Sequence, residues 1–191
     1  MRLVTSGAAA FAALALAGCG SGHKSFDKAD LPRVVFAKSN APPGTLYNVD
    51  NAGLGFLERE RGNAELLRLL RPFGFVADAG SEFAGNQTSI AYAESLAFLF
   101  KDPKGASKAL AAMHGAIAQV GQGVKDVTAP GLGDESWAVS GVFFPKAPPG
   151  CFFVWRKLNL VLAFTMSGSP SVVTESSARS YATKLEGRAG L

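Results

Sequence analysis

The chain has 191 residues, 48% apolar, 10% aromatic and 18% charged, with a formal net charge of +4. This composition excludes a disordered chain, and the length suits one domain that buries a core without metal or disulfide support. Cations alternate with acids, as in Glu58-Arg59-Glu60-Arg61, so no basic run marks a nucleic-acid surface and no nucleic-acid partner is expected.

The first element is an apolar run from Leu3 to Gly18, preceded by the single cation Arg2. A charged start, an apolar middle and small residues before a cysteine make an export signal. The run is shorter than the about 20 apolar residues that a membrane-crossing helix needs. Its end, Leu16-Ala17-Gly18-Cys19, has the form of a lipobox, and the segment resembles the signal of bacterial lipoproteins. The resemblance implies cleavage between Gly18 and Cys19, and a mature protein that begins at Cys19 with diacylglycerol on its sulfur. Acyl chains such as palmitate would then tie the protein to the extracytoplasmic face of the cell membrane. Two or three chains on one cysteine make a durable anchor where one chain holds only marginally. The alternative is a plain secretory signal with Cys19 a bystander.

Removing residues 1–18 leaves 173. Residues 20–30, rich in Gly, Ser, Asp and Lys, read as a polar tether containing His23, followed by a single domain over 31–191. With Cys19 lipidated, Cys151 is left alone in the apolar run Gly150-Cys151-Phe152-Phe153-Val154-Trp155 and reads as a small buried hydrophobe.

Within the domain, Val34-Val35-Phe36 is stopped by the turn cluster Ser39-Asn40-Ala41-Pro42-Pro43-Gly44. Asn63 is placed to cap a helix through Arg71, with Leu66, Leu67, Leu69 and Leu70 on a broad apolar face. Residues 88–100 alternate, with Ile90, Tyr92, Leu96, Phe98 and Phe100 sharing one parity, which predicts a strand with one buried face. Asp102-Pro103 opens a helix whose Ala106, Leu110, Met113, Ile117 and Val120 recur at helical spacing. His114 neighbours that stripe and reads as a satisfied or exposed helix histidine, not a catalytic one.

The turn-rich stretch 129–135 leads into a predicted strand over 136–144. A hairpin follows, with strands 152–156 and 160–166 joined at Lys157-Leu158-Asn159. Thr174 caps a last helix carrying Ala178, Tyr181, Ala182 and Leu185 on its buried stripe, with Gly187 as its stop. The pattern predicts the α+β class: an antiparallel sheet with helices packed on one face. A strand followed by a helix occurs twice, at 88–120 and 160–187, an arrangement compatible with a diverged strand–helix repeat.

Gly131-Leu132-Gly133-Asp134-Glu135, then Val154-Trp155-Arg156 and Asn159-Leu160-Val161, then a capped C-terminal helix, resembles a domain common in envelope lipoproteins of high-GC Gram-positive bacteria. That resemblance implies an antiparallel sheet with helices and supplies no catalytic residues. Leu158 stands where such hairpins carry glycine.

No metal motif, nucleophile elbow or phosphate loop occurs, so no catalytic residue, metal or cofactor is assigned. The chain is therefore read as a non-enzymatic envelope binding or accessory protein. A structural or sensor-like protein-interaction module is the second reading. A hydrolase using carboxylates such as Glu82, Glu94 and Asp134 is the third, disfavoured because adjacent strand residues such as Asp134 and Glu135 point apart. Aromatic residues crowd the late strands, and Phe143, Phe153, Trp155 and Phe164 are the candidates for lining an apolar groove. Its occupant would be an acyl chain, an envelope lipid or a partner protein's apolar segment. Core packing alone is the plainer explanation of the same residues.

Overall fold

The computed structural model describes residues 25–59, 64–86, 89–128, 131–143 and 146–190, and the side chains of 49–51 and 120 are outside the description. The expectations for Gly18, Cys19 and the Asn63 cap therefore lie outside the described residues.

Among the described residues, seven strands form one sheet: β1 (Leu46–Leu54), β2 (Phe75–Ala84), β3 (Ile90–Phe100), β4 (Gln122–Asp126), β5 (Glu135–Val142), β6 (Gly150–Lys157) and β7 (Leu160–Gly168). Their order across the sheet is β1-β2-β3-β7-β6-β5-β4, and every neighbouring pair is antiparallel. The helices are α1 (Leu31–Val34), α2 (Phe56–Arg59), α3 (Ala64–Leu70), α4 (Pro103–Val120) and α5 (Glu175–Ala189). The class is α+β.

Local chemistry accounts for the long helices. Asp102 accepts the N–H of Gly105 at 2.8 Å and Pro103 takes the first position of α4, where a missing N–H costs nothing. Thr174 accepts the N–H of Ser177 at 3.1 Å while the Ser177 hydroxyl accepts the Thr174 N–H at 2.9 Å, closing the first turn of α5. This helix runs through Gly187 to Ala189.

The expected single covered face is corrected by the structure, which has helices on both. Ala97, Leu99, Phe153, Trp155, Leu162 and Phe164 pack with α1 and α5, whereas Leu96, Phe98, Phe100, Val154, Val161 and Ala163 pack with α2, α3 and α4. The reason is visible in β7, where every residue is buried, and in the last six residues of β3. A strand buried on both sides reads as a continuous apolar run, and a parity count extracts only half of it. A register shift between Ile90 and Tyr92 also breaks the parity, placing Ile90 on the α5 side.

The strand–helix repeat is not reproduced either. β3 and β7 are antiparallel neighbours at the centre of the sheet, so a two-fold relating them runs along the sheet normal. Such an axis would leave both following helices on one face, but α4 and α5 lie on opposite faces.

Phe26, within the stretch read as a tether, is fastened to the domain. Phe26 donates its N–H to Asn159 Oδ1 at 2.8 Å, and its carbonyl accepts from Asn159 Nδ2 at 3.0 Å. The ring of Phe26 packs on the α5-side core.

Candidate functional site

The α4 face is not fully covered. Between α3, α4 and the sheet lies a half-open groove of about 220 Å³, lined by Leu66 and Leu69 of α3, Met113, Ala116 and Ile117 of α4, and Glu94, Leu96, Thr165, Phe152 and Phe143 from the sheet side. α3 buries Leu67 and Leu70 against the core, which leaves Leu66 and Leu69 half-buried at the groove. One wall is aromatic: the Phe143 and Phe152 rings lie 6.0 Å apart, and Trp137 meets Phe152 edge-on at 5.5 Å. Trp137 is fixed by its indole N–H, which donates to the Leu110 carbonyl at 3.1 Å, and by stacking on His114 at 4.7 Å. His114 is in turn 3.0 Å from Asp126 of β4, so it ties α4 to the sheet edge.

The polar groups in the groove come from one row of the sheet. Register places Glu82 opposite Glu94, Glu94 opposite Thr165, and Thr165 opposite Phe152. One carboxylate, Glu94, and one buried hydroxyl, Thr165, thus line an otherwise apolar wall, with Glu82 next along the row.

Of the four aromatic residues read from the sequence as groove lining, Phe143 alone is there. Phe153, Trp155 and Phe164 are fully buried on the opposite face. Trp155 donates its indole N–H to Glu186 Oε2 of α5 at 2.6 Å, and Phe164 stacks on Tyr181 at 5.7 Å. Consecutive residues on β6 point to opposite sides, so the neighbour Phe152 reaches the groove while Phe153 and Trp155 do not. Phe144 lies outside the described residues. Leu66, Leu69 and Ile117 were legible as apolar helix faces, and the clue to their role was an apolar face on α3 wider than one contact requires.

The carboxylates proposed for hydrolysis are not assembled. Glu82 and Glu94 are cross-strand neighbours, but Asp134 lies at the β6–β7 hairpin end, beside Leu158. There Arg156 ion-pairs with Asp134 at 2.9 Å and with Glu135 at 3.0 Å. The two acids converge because Asp134 precedes β5 in a turn whose Gly133 has φ +55, so strand alternation does not govern it. Arg156 bridges both, and Asp134 also accepts the Leu158 N–H at 2.9 Å. This is a brace for the hairpin.

Cys151 is buried with a free thiol, and burial together with the nearby Glu175 pushes its pKa up, which keeps it protonated. Among the described residues no group of three or more His, Cys, Asp or Glu is arranged to hold a metal ion. None of their helices is long and apolar enough to cross a membrane.

No protein-family profile matches the chain, and no curated protein matches it. Among solved structures, the extracellular domain of PknH from Mycobacterium tuberculosis is similar in fold, with a TM-score of 0.58 at 10% sequence identity. The match covers 89% of this chain and 100% of that one. At so low an identity, the likeness establishes a common arrangement of sheet and helices.

Proposed function

We propose that the protein is a membrane-anchored, extracytoplasmic binding module without catalytic activity, which takes an apolar chain into the groove on the α4 face. The observation that carries this reading is the groove itself, where apolar side chains from two helices and several strands converge around two polar groups. Ligand sites are typically apolar hollows with few convergent polar groups, but usually of about 300 Å³ or more. The smaller volume here suits part of a ligand, such as a stretch of acyl chain. The lipobox at Leu16-Ala17-Gly18-Cys19 supports the anchor, and likeness to an extracellular domain supports the address.

The test is native mass spectrometry of the full-length protein mixed with envelope lipid extract. The wild type should retain an apolar ligand, and Ala116→Trp, which fills the groove, should lose it with an unchanged thermal midpoint. A wild type free of ligand throughout would remove the groove reading. The second reading, a protein-interaction module, is favoured by the same likeness to an extracellular domain. In-cell crosslinking that captures one fixed envelope protein through Phe143 or Leu66 would establish it.

A further inference from the structure

We propose that the end of the domain bearing Lys101, Lys104 and Lys108 is its membrane-facing surface, seated on anionic lipid headgroups, so that the groove is held away from the bilayer. This inference rests on the anchored reading above, and its starting point is where the N-terminal segment joins the domain. Asn159, 3% exposed, grips both Phe26 and the end of β3: its Nδ2 donates to the carbonyls of Phe26 and of Phe100, each at 3.0 Å. The entry point of the chain is thereby fixed beside the β6–β7 hairpin and the last residue of β3. Only residues 20–25 separate Phe26 from Cys19, seven steps along the chain that span at most roughly 25 Å. A lipid on Cys19 would bring this end of the domain close to the headgroups.

The chemistry of that end fits the position. Lys101 directly follows Phe100, and its N–H donates to the Gly74 carbonyl at 3.0 Å. Lys101, Lys104 and Lys108 surround one shallow depression with Phe73 and Gly74. All three lysines are exposed, as is Arg71 nearby, and none has an ion-pair partner among the described residues. Asp102, which caps α4, is the one acid lining the depression, so three lysines there face a single carboxylate. Unpaired lysines within a Debye length of about 8 Å from an anionic leaflet are drawn to it.

The consequence concerns the groove. From Lys104, α4 runs back along the sheet, and at 1.5 Å per residue Ile117 lies roughly 20 Å farther from this end. The groove would then meet ligands presented from the cell-wall side.

The experiment compares lysine acetylation, read by mass spectrometry, in the full-length lipidated protein on vesicles of phosphatidylcholine with and without phosphatidylglycerol. Lys101, Lys104 and Lys108 should react at least about threefold more slowly on the anionic vesicles. Lys125 and Lys146, toward the opposite end, should be unchanged. Salt of about 1 M, with its Debye length near 3 Å, should erase the difference. Lys104→Glu should reduce the protection of Lys101 and Lys108. Equal rates on both vesicle types, or protection of Lys125 and Lys146 instead, would overturn the orientation while leaving the anchor standing. A protein that floats with neither vesicle type would remove the anchor and the orientation with it.

Discussion

Asp78 is the residue whose chemistry was least visible in the chain. It is buried on β2, where its Oδ2 accepts the Leu57 N–H at 2.9 Å and its carbonyl accepts that of Gly55, fastening the start of α2. Burial raises its pKa above the ordinary 3.8, outweighing the lowering effect of the backbone donor. The folded state therefore holds the proton more tightly than the unfolded chain does. The resulting stability is complete below the unfolded value and is lost as pH rises through the folded one. Asp78→Asn keeps an acceptor for Leu57 and removes the charge. Urea unfolding between about pH 4 and 7 should show the variant gaining on the wild type as pH rises. A second residue-scale prediction concerns Leu158, whose φ of +54 is a conformation that suits glycine at the first central position of a two-residue hairpin. Relief of its steric cost, less the entropy that glycine loses, makes Leu158→Gly more stable by about 0.5 kcal/mol in the same assay.

At the scale of elements, α2 sits on the sheet because β2 has a glycine beneath it. A methyl group at Gly80 would come within 2.6 Å of the Phe56 ring and 2.7 Å of a Leu96 methyl. Overpacking of this kind costs about 1–3 kcal/mol, so Gly80→Ala should lower the thermal midpoint by about 3–10 °C. Leu96 also lines the groove, so the variant should weaken apolar-ligand retention as well. The long helices were legible because their signals are local: Asp102-Pro103 and Thr174 each act within one turn. Strands β3, β5, β6 and β7 were legible from their apolar runs. β1, β2 and β4 were not, because Gly53, Gly80, Gly123 and the polar residues around them leave no apolar alternation to count.

At the scale of the molecule, the anchored reading makes a direct prediction. Cys19→Ser should move the protein from the membrane fraction to the soluble fraction or the medium, as followed by immunoblot. Unchanged retention would contradict the anchor. The chain by itself determined the α+β class, the caps of α4 and α5 and the tight hairpin at Leu158-Asn159, since each depends on neighbours a few residues apart. Only the tertiary structure decided which aromatic residues belong to the groove. Phe152 and Phe153 are adjacent and chemically alike, yet one reaches the groove and the other is sealed beneath α5. It also decided that helices cover both faces, that Arg156 gathers Asp134 and Glu135, and that Asn159 fastens Phe26. Those outcomes depend on which face each strand turns to which helix, a long-range choice that spacing along the chain does not encode.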